Sequence, residues 1–121
     1  MGKVLNIKDA PPITRVQQGR KGNILVGKEM GATKIGVMLH IFEPNMTQKH
    51  YHYHKKRDQV YIVLEGSGAY QLEDKELQLT PNTVVFIKPG EKHGVKGTGS
   101  KGLKMLEINS DILEPDMYDV E

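Results

Sequence analysis

The run His50-Tyr51-His52-Tyr53-His54 places three imidazoles at alternate positions of the chain. In an extended strand successive side chains point to opposite faces, so the three histidines share one face while Tyr51 and Tyr53 share the other. Two imidazoles at i and i+2 can converge on one metal ion. A further histidine, His93, follows 39 residues after His54, at the end of Pro89-Gly90-Glu91-Lys92-His93. Taken alone, the alternating pattern also describes three histidines on a solvated sheet face. The chain has no cysteine, which removes disulfides, thiolate nucleophiles and cysteine zinc sites together, so any metal must be held by nitrogen and oxygen.

The elements that would position these groups are short strands. Thirteen glycines and six prolines cut the 121 residues into segments of strand length. The expected strands are Ile24 to Val26, Lys34 to Phe42, His50 to His54, Gln59 to Leu64, Ser67 to Leu72, Thr83 to Ile87, Gly94 to Val95 and Leu103 to Ile108, several rich in Val, Ile, Tyr or Phe. Turn signals stand between them at Glu43-Pro44-Asn45, Glu65-Gly66, Glu73-Asp74-Lys75, Thr80-Pro81-Asn82 and Lys88-Pro89-Gly90. No segment reads as an amphipathic helix. The expectation is one all-β domain over residues 1–121, a barrel or jelly roll whose closure removes exposed edges. Residues 1–22 form an N-terminal arm, 23–108 the barrel core and 109–121 a tail whose apolar residues call for docking.

In this frame the histidines resemble the two motifs of the cupin family. The first family motif is G-x5-H-x-H-x(3,4)-E-x6-G; here His52, His54, the four-residue gap and Gly66 match, with Gln59 in place of the glutamate and Met46 in place of the opening glycine. The second ends P-x-G-x2-H-x3-N; Gly90 and His93 match, Lys88 stands where the first proline falls, and Gly97 replaces the asparagine. The resemblance covers roughly residues 34 to 108 and implies a double-stranded β-helix in which His52, His54, Gln59 and His93 surround one divalent transition metal, Mn, Fe, Ni, Zn or Co, an identity that ligand type does not decide.

Gln59 is the departure with chemical consequences. A glutamine oxygen can ligate but brings no charge, so the ion keeps its full +2, binds more weakly and favours anionic ligands such as carboxylates, enolates or phosphates. The site also lacks the carboxylate that would act as general base. His50 is a candidate for orienting substrate or exchanging protons, and Tyr61, on the Gln59 face, for proton transfer or simple packing. For His40 a structural role is expected. Lys55-Lys56-Arg57 reads either as an anion clamp at the mouth or as a solvated turn.

Formal charge is +2, from 17 basic and 15 acidic side chains, which gives no case for nucleic acid or a polybasic membrane patch. No apolar run could span a bilayer, and the start of the chain does not read as a signal peptide, so a soluble, cytoplasmic protein with a small anionic partner is expected. Unexplained apolar residues in both terminal segments suggest a homodimer. The expected activity is that of a small metal-dependent enzyme acting on an anionic or carbonyl-containing substrate, in the manner of a dioxygenase; the alternatives are a sugar or sugar-phosphate isomerase or epimerase, and a non-catalytic ligand-binding or sensor cupin.

Overall fold

The structure is a computed structural model and describes residues 2–13, 19–47 and 51–120. Among the described residues there are eight strands: β1 (Arg20–Val26), β2 (Ile35–Phe42), β3 (His52–Tyr53), β4 (Gln59–Leu72), β5 (Lys75–Leu79), β6 (Val84–Ile87), β7 (His93–Ser110) and β8 (Tyr118–Asp119). Two single 3-10 turns, Ile7–Asp9 and Lys28–Met30, are the helical elements among the described residues. No helix among them is long and apolar enough to cross a membrane.

The long strand β7 organises the molecule. Its second half lies between β2 and the first half of β4, with Leu106 opposite both Leu39 and Ile62. Its first residue, His93, is opposite His52 of β3 and Leu72 at the far end of β4. A strand that serves both ends of β4 wraps the sheet into a closed jelly roll, the all-β architecture expected from the sequence. The core packs inside it, with Phe42, Val63, Tyr70, Leu79, Ile87, Leu103 and Met105 almost fully buried.

The strand boundaries differ from expectation in informative ways. Gln59–Leu64 and Ser67–Leu72 are one strand, and Glu65-Gly66 is a bend inside it rather than a turn. The register of β4 on β7 shifts on both sides of Gly66, which adopts φ +82°. A Cβ there would lie 2.1 Å from the Gly102 carbonyl oxygen, so glycine marks close approach of two bent strands. Gly94–Val95 and Leu103–Ile108 are likewise parts of β7. β5 escaped the sequence reading because Lys-Glu-Leu-Gln-Leu has no β-branched or aromatic residue. It forms because Glu73-Asp74 closes a two-residue hairpin with Leu72 opposite Lys75 and Glu73 at φ 53°.

Part of each terminal segment lies on the barrel. Ile13 N donates to Gly22 O and Ile24 N to Pro11 O, which lays residues 11–13 beside β1. The chain after β7 returns so that β8 pairs with β3, His52 opposite Asp119 and Tyr53 opposite Tyr118.

Candidate metal centre

His52 and His93 meet because β3 and β7 put them directly opposite each other, and His54 follows at the next inward position. Their ring centroids lie 4.4 Å apart for His52 and His93, 5.1 Å for His52 and His54, and 5.3 Å for His54 and His93. One nitrogen from each ring falls within 4.8 Å of the others, so these three histidines can hold a metal ion. The outward residues of the same run are used differently: Tyr53 stacks on Tyr118 at 5.3 Å, and the Tyr51 hydroxyl donates to Glu73 O at 2.8 Å.

Tautomers at the centre follow from the hydrogen bonds. His93 Nδ1–H donates to the Glu91 carbonyl at 2.8 Å, and His54 Nδ1–H donates to the Asp116 carbonyl. Each bond commits Nδ1 as donor and leaves the Nε2 lone pair for another partner, the arrangement in which metal-bound imidazoles are found. Both Nε2 atoms are buried without a hydrogen bond. Burial disfavours the charged form, lowering the pKa of His93 to about 4 and lowering that of His54, with the carbonyl contacts opposing in part. Neutral, oriented and otherwise unpaired, these rings fit a divalent transition metal.

A cavity of about 350 Å³ opens beside the centre. His52, His54, Gln59 and Tyr61 line it, and His50 lies outside the described residues. Gln59 is 2% exposed; its Nε2 donates to Asn109 Oδ1 at 2.8 Å, while Oε1 is buried with no hydrogen-bond partner. Tyr61 shares a hydrogen bond with Glu107, and burial together with that carboxylate's charge raises its pKa well above the ordinary value, so the phenol stays protonated.

Two charged residues of this cavity, Glu107 and Arg20, were not singled out from the sequence. Glu107 lies opposite Tyr61 in the register, and His40 Nε2–H donates to its Oε1 at 2.9 Å while Asn109 Nδ2–H donates to Oε2 at 2.7 Å. Burial alone would raise the Glu107 pKa; the bonds from His40, Asn109 and Tyr61 outweigh it and hold the carboxyl at about 2. The alternation from Leu103 through Met105 to Glu107 and Asn109 marks one inward face, but Leu106 and Ile108 are equally apolar on the other, which hides the signal. Arg20, at the start of β1, also lines the cavity, with its Nε buried and unpaired. Of the basic triplet, Arg57 lines it too and donates to Asp111 O and Glu114 O at 3.2 and 3.3 Å. Lys55 and Lys56 do not; they border a separate surface pocket, and Lys55 Nζ sits 4.3 Å from the Tyr118 ring centroid. The triplet therefore divides: Asp116 accepts the backbone N–H groups of Lys55 and Lys56 at 2.8 Å each and fixes the turn with both lysines outward, while Arg57 faces the cavity.

The geometry agrees with the proteins this chain resembles. An oxalate-binding protein of Thermotoga maritima is 25% identical over 95 residues, 75% of this chain and 78% of that one. A glucose-6-phosphate isomerase of Pyrococcus abyssi is 34% identical over 67 residues, 51% of this chain and 35% of its own length, so the match spans about a third of that enzyme. Among solved structures, the polyketide cyclase RemF of Streptomyces resistomycificus superposes with a TM-score of 0.82 at 22% identity, over 100% of this chain and 87% of that one, a likeness of fold. Residues 38–109, more than half of the chain, match the profile of the Cupin domain family. With both histidine motifs converging inside a jelly roll of that kind, the chain belongs to the cupin family.

Proposed function

We propose that this cupin is a metal-dependent enzyme for small anionic oxygen compounds, carboxylates or enolates, bound between an ion on His52, His54 and His93 and the guanidinium groups of Arg20 and Arg57. One observation carries the reading: a single cavity brings together His52 and His54, the latter with a buried Nε2 that makes no hydrogen bond, two arginines, an ionised carboxylate and a phenol. Its likeness to an oxalate-binding protein over most of both chains supports the ligand class.

A divalent ion held by these imidazoles, with Gln59 Oε1 as a further oxygen donor, would polarise a bound carbonyl or carboxylate oxygen. Arg20 and Arg57 orient the anionic end of the substrate through charge-assisted hydrogen bonds. Tyr61, held protonated, donates a proton, and Glu107, ionised and held by His40 and Asn109, supplies fixed negative charge beside it. His50 remains a further candidate for moving protons. A sugar-phosphate isomerase would use the same polarised carbonyl with a phosphate on the arginines, a reading supported by the match to glucose-6-phosphate isomerases.

Chelator-treated protein reloaded with Mn, Co, Ni or Zn and titrated with oxalate by calorimetry should bind it, and metal-free protein should not. Arg20→Gln should weaken that binding by about tenfold, the loss expected of one charge-assisted contact. Equal binding with and without metal would overturn the reading. Release of CO₂ from oxalate, oxygen uptake or interconversion of glucose 6-phosphate and fructose 6-phosphate would then distinguish decarboxylase, oxygenase and isomerase chemistry. Binding without turnover of any would mark a sensor.

A further inference from the structure

Gln59 stands where the resemblance places a glutamate, and it is the first member of a buried hydrogen-bonded chain that runs through Asn109 and Glu107 to His40. We infer that the site's carboxylate has moved from position 59 to Glu107, and that Glu107 acts through Asn109 to turn the Gln59 carbonyl oxygen into the cavity. The inference rests on the proposal that the three histidines hold metal, and makes Glu107 and Asn109 positioning residues for that centre.

The two ends of an amide differ chemically, whereas an ionised carboxylate offers acceptors alone. Glu107 takes His40 Nε2–H on one oxygen at 2.9 Å, so its other oxygen, at 2.7 Å from Asn109, must receive the Asn109 amino group. Asn109 then has its carbonyl oxygen left over, and at 2.8 Å this receives the amino group of Gln59. Gln59 is left with Oε1, buried and unpaired in the wall of the cavity. Every orientation in the chain follows from the one carboxylate. The strands hold the chain in line, with Gln59 opposite Asn109 and Tyr61 opposite Glu107. A buried carbonyl oxygen without a partner is costly, and a bound cation would relieve that cost.

The same logic explains why positions 59 and 107 are matched. A carboxylate at 59 would face the carbonyl oxygen of Asn109, acceptor against acceptor, and turning the amide over to donate to it would withdraw the amino group from Glu107. Exchanging both residues reverses the chain and keeps each bond. His40 then donates to an amide oxygen at 107, the amide nitrogen there to Asn109 Oδ1, and Asn109 Nδ2 to a carboxylate at 59, now beside the histidines.

Gln59→Glu, Glu107→Gln and the double variant test this on the whole chain. In metal-free protein Gln59→Glu should lower the melting temperature by about 5 °C or more, and the double variant should recover to within about 2 °C of the parent. Zn²⁺ calorimetry should show weaker binding by Glu107→Gln and at least about tenfold tighter binding by the double variant, whose carboxylate now neighbours the ion. Asn109→Leu should lower Zn²⁺ affinity about tenfold in the parent and by less than about threefold in the double variant, where both ends of the side chain at 59 are oxygens. Melting shifts that merely add, or equal losses for Asn109→Leu in both backgrounds, would overturn the chain as an orienting device. Recovery of stability without Zn²⁺ binding by parent or variant would uphold the hydrogen-bonded chain and overturn the metal reading on which its role depends.

Discussion

His93 is wholly buried in the centre, its ring committed by one carbonyl contact. His93→Ala should reduce metal affinity by at least about tenfold with the far-ultraviolet spectrum retained, since the pairing of β7 with β2 and β4 runs through backbone groups and does not need the ring. Unchanged affinity by calorimetry would remove His93 from the ligand set. The same residue predicts an acid-sensitive metal-free protein. Unfolded, it takes a proton near pH 6.5; folded, burial lowers that value to about 4. Between the two the unfolded chain binds a proton that the folded chain refuses. Stability is therefore intact above about pH 6.5 and declines toward pH 4, by up to about 3 kcal/mol. Glu107 acts in a lower window: its carboxyl is held at about 2, so its contribution is present above about pH 4.5 and is lost as pH falls toward 2. Urea titrations at pH 7, 5.5 and 4.5 in chelator check the first window, and a flat profile contradicts it.

At the scale of elements, the site depends on a bend and a strap. Gly66 lets β4 bend across β7 at a point where any side chain meets Gly102. Gly66→Ala, strained in φ and in contact at once, should cost about 2 kcal/mol or more in urea denaturation, against less than about 1 kcal/mol for Gly31→Ala, which shares the positive φ but has open space. The strap is the segment after β7, where Asp116 gives its carbonyl to His54 and its carboxylate to two backbone N–H groups. Asp116→Ala leaves those groups unpaired, and should cost about 1–3 kcal/mol while loosening His54, seen as a several-fold loss of metal affinity. Full metal affinity in a destabilised variant would mean the strap supports the fold alone.

For the whole molecule, the outward face of β4 and β6 leaves large apolar side chains exposed. Val60 lies opposite Phe86 and Ile62 opposite Val84, and Val84 and Phe86 are 62% and 53% exposed. Neighbouring Leu64 is 38% exposed, so the residues form a contiguous apolar strip on a flat sheet rather than scattered points. The homodimer expected from the sequence would cover this face with its own copy about a two-fold axis. Light scattering should give about twice the 13.6 kDa chain mass, and Phe86→Lys should shift the protein toward the monomer with the metal centre intact. A monomeric parent protein would refute this.

The strand-length spacing of glycine and proline determined an all-β barrel or jelly roll from sequence alone, because side-chain alternation and turn chemistry are local properties, and the resemblance of the two motifs to cupins joined His93 to His52 and His54. The partners of that centre depended on register between strands far apart in the chain. Glu107 reaches Gln59 and Tyr61 because β7 runs beside β4, and Arg20 reaches the cavity because β1 begins at its mouth; neither residue carries a local pattern that announces it. Gly66 shows the same division, since a glycine signals an unusual backbone but tertiary contact with Gly102 decides that the chain bends there instead of turning. Which groups surround the histidines, and hence which charge the cavity offers a ligand, was decided by how the barrel closes.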